Sequence, residues 1–76
     1  MTRGQRHIVD TIQATARKAV ANGLPIVWDV DVFRRCFPPT KLEILGVSQR
    51  EAEEIAEATW YATIAEIPRY DFGRNN

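Results

Sequence analysis

Apolar residues recur at three- and four-residue spacing over two long stretches, and each stretch begins at a hydroxyl residue. In the first, Ile8, Ile12, Ala16, Ala19 and Val20 fall on one stripe of a helical wheel, with Arg6, Asp10, Gln13 and Arg17 outside it. Thr2-x-x-Gln5 has the form of a capping box, in which the hydroxyl accepts from an orphan amide and the Gln side chain returns the bond. Asn22-Gly23 supplies a left-handed end and Pro25 blocks continuation, so the spacing predicts a helix over about 3–22. The second stretch opens at another box, Ser48-x-x-Glu51. Ala52, Ile55, Ala56, Thr59, Trp60, Thr63 and Ile67 fall together, Glu53, Glu54 and Glu57 lie on the other side, and Pro68 stops a helix predicted over about 49–66. From Thr59 to Ile67 only Glu66 is charged, with Tyr61 and Ile64 beyond the main stripe. A helix apolar nearly all round is one that becomes covered all round.

Between the two lies "LPIVWDVDVFRRCFPP", which supports two readings. Ile26, Trp28, Val30 and Val32 alternate with Val27, Asp29, Asp31 and Phe33, as in a strand. At helical period, Val30, Phe33 and Phe37 share a face, Asp29 is an N-cap and Pro38-Pro39 is a stop. An extended arm at 24–28 and a short helix at 30–36 follow from the second reading; a strand satisfied across a dimer interface follows from the first. A third capping box, Thr40-x-x-Glu43, opens a short helical piece over 41–45 that Gly46 ends. Tyr70 and Phe72 in the tail suggest rings laid back on the domain, with residues 73–76 expected to be a disordered end.

Length sharpens this picture. A chain of 76 residues makes one domain and buries only roughly 60–65% of its unfolded surface, so its core needs reinforcement. Cys36 and His7 are each the only residue of their kind, which removes an intrachain disulfide and a Cys- or His-cluster metal site. Packing and self-association remain. A lone thiol and the lack of an apolar leader point to the cytoplasm, and no apolar run approaches the roughly 20 residues of a membrane span. The balanced net charge conceals an asymmetry: residues 1–41 carry seven Lys/Arg against three acids, and residues 42–76 three against seven. Such a chain can fold one half on the other, pair with a second copy, or offer each face to an oppositely charged partner.

The segment "ILGVSQREAEEIAEATW" has the turn of a helix-turn-helix. Val47, Ala52 and Ile55 follow Gly46, and Leu42 and Leu45 precede it, at the spacing of that motif's buried framework. The chemistry does not follow. The would-be recognition helix shows Gln49 and Arg50 outward, but also Glu51, Glu53, Glu54 and Glu57, which phosphate rows would repel. Asp29-Val30-Asp31 has a spacing some metal enzymes use, yet nothing nearby recruits further ligands, and capping explains it. His7 has no nucleophile at a suggestive spacing, and Cys36 reads as a small apolar residue beside Arg35 and Phe37. No catalytic residue, metal or cofactor is expected. The stripe Ala52, Ala56, Thr59 and Thr63 reads as close packing against the first helix.

The expectation is therefore an all-α domain spanning 1–76, with two longer helices (3–22 and 49–66) packed antiparallel, joined by an arm and two short helices, and a symmetric homodimer as its assembly. The expected function is a non-enzymatic protein-interaction module, a small adaptor or inhibitor of the size common among phage and mobile-element accessory proteins. Its contact residues are Trp28, Phe33, Trp60, Tyr61 and Ile64, with Glu53, Glu54 and Glu57 as an acidic rim towards a basic partner. The alternative is a small nucleic-acid-binding regulator using Gln49 and Arg50 on the helix-turn-helix-like segment 41–58, or the basic cluster Arg3, Arg6, Arg17 and Lys18.

Overall fold

A computed structural model describes residues 1–67, and among these the regular structure is entirely helical: α1 Arg3–Ala21, α2 Val30–Cys36, α3 Pro39–Leu45 and α4 Gln49–Glu66. The strand reading of 24–33 is not realised, and Tyr70, Phe72 and the tail beyond Ile67 lie outside the described residues.

Local chemistry fixes the boundaries. At α1 both bonds of the Thr2 capping box form: the Gln5 amide donates to Thr2 Oγ1 (3.1 Å) and the Thr2 amide to Gln5 Oε1 (2.8 Å). Its other end is a Schellman motif. The Leu24 amide donates to the Ala19 carbonyl and the Gly23 amide to Val20, with Gly23 at φ 68°. Asp29 caps α2 by accepting from the Asp31 amide, and Ser48 caps α4 by accepting from Glu51. The Thr40 capping box does not form. α3 starts a residue earlier than Thr40, with Pro39 in its first turn, Pro38 at the N-cap position and no side-chain cap. Proline has no amide to satisfy and its φ is preset for a first turn, so the Pro-Pro pair that stops α2 also opens α3.

The buried stripe of α1 (Gly4, Ile8, Ile12, Ala16, Ala19) lies against that of α4 (Ala52, Ala56, Trp60, Thr63, Ile64). The small-residue positions Ala52, Ala56 and Thr63 are thus used in this contact, with Thr59 half-buried beside them. The two helices run in the same direction, not antiparallel. Gln5 in the first turn of α1 donates to Glu51 in the first turn of α4, while Thr15, Lys18 and Ala19 near the end of α1 line one groove with Trp60. Antiparallel neighbours follow from short connections. Here residues 22–48 carry α2 and α3 back along the roughly 28 Å length of α1, so α4 restarts beside the beginning of α1.

Gly4 makes this arrangement possible. A Cβ at that position would stand 2.2 Å from the Leu45 carbonyl oxygen and 3.1 Å from Val47 Cγ2. The first turn of α1 is therefore pressed onto the α3–α4 turn, backbone to backbone. That turn is closed by its own hydrogen bonds: Gly46, at φ 72°, ends α3 in a second Schellman motif, with the Val47 amide donating to Leu42 and the Gly46 amide to Glu43.

Replacing a helical glycine by alanine ordinarily favours the helix by roughly 0.5–1 kcal/mol. Gly4→Ala is expected to do the reverse and destabilise the domain by about 1–3 kcal/mol, because the methyl group meets a backbone carbonyl that has no room to yield. Urea unfolding of the variant beside Ala14→Gly, on the exposed side of α1, measures both signs; a stabilised Gly4→Ala protein would disprove the close approach.

Candidate functional site

The extended arm between α1 and α2 is held by two adjacent aromatic residues of α4. The Trp60 indole Nε1–H donates to the Ile26 carbonyl (2.8 Å), and the Tyr61 hydroxyl accepts from the Trp28 amide (3.1 Å). Ile26 and Trp28 turn inward and are half-buried, whereas Leu24 and Val27 turn outward, 54% and 72% exposed. Trp28 stacks edge-on against Trp60 at 5.8 Å between ring centroids and tilts against Phe33 at 6.5 Å; Phe33 meets Phe37 at 5.8 Å, and His7 meets Phe37 edge-on at 6.0 Å. Lys41 covers the other side of this run, its ammonium 5.3 Å from the Phe37 ring centre.

Pinning the arm to α4 leaves a solvent-open groove of ≈ 340 Å³ between the end of α1, the arm and α2. Its apolar walls are Ala19, Leu24, Pro25, Val27, Val32 and Trp60. Lys18 and Arg35 stand along it, both exposed. Asp29 also reaches it, but one of its carboxylate oxygens is taken by the Asp31 amide. Among the described residues the ion pairs are Arg34–Asp31 (4.0 Å) and Arg50–Glu54 (3.6 Å), so neither Lys18 nor Arg35 has an acidic partner there.

The structure redistributes the residues that the sequence marked for contact. Phe33, Trp60 and Ile64 are core residues, not surface ones, because the crossover wraps that side of α4 more completely than chain length suggests. Trp28 is half-buried and Tyr61 is 47% exposed. Glu54 and Glu57 are exposed and Glu53 half-buried on α4, apart from the groove lining. Leu24, Val27, Val32 and Arg35 were not singled out for contact. The outward apolar residues of the arm were a usable signal, since an extended chain cannot turn every side chain of "LPIVW" inward.

The basic candidates do not gather into one site. Arg3, Arg6 and Arg17 are exposed on α1, with Arg3 and Arg17 about 21 Å apart along its axis and Asp10 between them. Lys18 belongs to the groove. Gln49 and Arg50 are exposed at the start of α4, where Arg50 faces Glu54 and Glu51 takes the bond from Gln5. The helix-turn-helix framework is present, with Leu42, Val47 and Ala52 buried and Leu45 and Ile55 half-buried, but the first half of α4 exposes Glu51, Glu54 and Glu57. Asp29 and Asp31 serve α2 as cap and ion-pair partner. No helix among the described residues is long and apolar enough to cross a membrane.

Tyr61→Phe removes only the acceptor for the Trp28 amide. It is expected to lower global stability by about 0.5–1.5 kcal/mol while selectively raising hydrogen exchange at the Trp28 amide and leaving Ile12 and Ala16 protected. Unchanged exchange at Trp28 would show that the arm is held by packing alone. No family model matches the chain, and no curated protein or solved structure matches it either.

Proposed function

We propose that this chain is a non-enzymatic protein-interaction module, a small adaptor or inhibitor whose docking site is the groove between α1, the arm and α2. The observation that carries this reading is the groove itself: an open apolar trough that gathers exposed Leu24 and Val27 with Pro25 and Val32, whereas the other exposed large apolar residues, Met1, Ile44 and Tyr61, lie outside its lining. Contiguous exposed apolar surface on a small domain marks association. The contact set is centred on Leu24, Val27 and Val32 of the groove lining instead of the core residues Phe33, Trp60 and Ile64.

Self-association is a second reading, favoured by a specific feature of α4. Ala58, Tyr61, Ala62 and Ala65 are exposed along its outer side, an apolar strip that a second copy would cover. Sedimentation equilibrium from micromolar to millimolar protein checks it: a dimer that Ala62→Arg converts to monomer is expected, and a wild-type monomer throughout removes this reading.

The interaction module is tested by placing a photo-crosslinking amino acid at Val27 and, in parallel, at Ala14 on the exposed side of α1, in cells of the native source. A discrete protein adduct from position 27 and none from 14 is expected. Duplex DNA titrated with the purified protein at low salt should show no salt-sensitive rise in fluorescence anisotropy. Adducts at neither position, together with salt-sensitive DNA binding, would replace this reading with the nucleic-acid one.

A further inference from the structure

The groove carries charge as well as apolar surface. Lys18 in the last turn of α1 and Arg35 in the last turn of α2 reach it from different helices, with Leu24, Pro25, Val27, Val32 and Trp60 as its apolar walls. Cations are favoured at helix C-termini by the helix dipole, which accounts for the positions of these two residues. It does not neutralise the ammonium and guanidinium groups, and the carboxylate of the lining, Asp29, which also caps α2, leaves two cations against one anion around the groove.

We infer that the occupant of this groove is a partner-protein segment with an apolar anchor bracketed by carboxylates, the anchor packing on Leu24, Val27 and Val32 and the carboxylates meeting Lys18 and Arg35. This rests on the interaction-module reading and adds the sign of the partner's charge: acidic, the opposite of the basic partner that the acids of α4 suggest. An apolar segment flanked by Lys or Arg would place like charges together at the rim, which costs affinity and selects against it. A continuous segment meets both cations and extends beyond the open ends of the groove.

The test uses the full chain, isotopically labelled, and three short synthetic peptides: a Leu-Ile-Leu core flanked by Glu pairs, the same core flanked by Lys pairs, and a Ser core flanked by Glu pairs. The Glu-flanked apolar peptide is expected to shift the amides of Leu24, Val27 and Val32 and the Trp60 indole, and to bind at least tenfold more tightly than either of the others at low salt. The difference should narrow as salt rises. In the double variant Lys18→Glu, Arg35→Glu, both positions being exposed so that folding is retained, the preference should pass to the Lys-flanked peptide. Equal affinity for the two apolar peptides, or an unchanged preference in the variant, overturns the acidic-partner assignment and leaves the groove as a docking site. Absence of groove shifts with any apolar peptide overturns both. If the same resonances move on dilution of the protein alone, a second copy is the occupant and the assignment also falls.

Discussion

The run of aromatic rings from Trp60 through Trp28 and Phe33 to Phe37 is the constraint on which the rest of this structure depends. Each consecutive pair stands within 6.5 Å between centroids, and the four rings come from α4, the arm, α2 and the end of α2. Rings at such separations contribute about 0.5–1.5 kcal/mol per pair beyond the area they bury. In a chain this short, which has neither a disulfide nor room for a second core layer, these contacts fasten the connector to the long helices. His7 and Lys41 extend the run to α1 and α3, so all four helices touch it.

Fastening the connector has a topological result. A crossover bound along its length can return the chain to the starting end of α1, and the two long helices then lie side by side in the same sense. The first turn of α1 must share space with the α3–α4 turn, and only a residue without a side chain fits there; Gly4 is that residue. The Thr2–Gln5 capping box meets the first turn of α4 at the same end, through the bond from Gln5 to Glu51. Helix capping, glycine packing and interhelical hydrogen bonding thus converge on one end of the bundle, and the aromatic run extends from near that end, at His7, to Trp60.

The groove follows from how the arm is held. Two of its backbone groups, the Ile26 carbonyl and the Trp28 amide, are met by the Trp60 indole and the Tyr61 hydroxyl, and Ile26 and Trp28 are already half-buried, which leaves Leu24 and Val27 facing solvent beside Lys18 and Arg35. Charge is uneven between surfaces: the groove lining carries Lys18 and Arg35 against Asp29, and the first half of α4 exposes Glu51, Glu54 and Glu57 against Arg50. These glutamates explain why a segment with the buried framework of a helix-turn-helix lacks the electrostatics of a DNA reader.

Much of the local structure was legible in the residues alone, because it is decided within a few positions. Thr2, Asp29 and Ser48 cap the helices that follow them, Gly23 and Gly46 end the helices before them, and three- and four-residue spacing fixes which sides of α1 and α4 are buried. Pro39 shows the limit of that local reasoning, since the same residue that forbids one helix favours the start of the next. The arm shows a deeper limit. Its alternation was visible and is real, with Ile26 and Trp28 inward and Val27 outward, but whether an extended segment becomes a strand depends on what meets its backbone. Here two side chains more than thirty positions away do so. The relative direction of α1 and α4, the room for Gly4 and the meeting of Lys18 with Arg35 across one groove belong to tertiary structure for the same reason. Periodicity and capping specify which face of a segment is apolar, and only packing against distant segments selects which apolar faces meet and which are left for a partner.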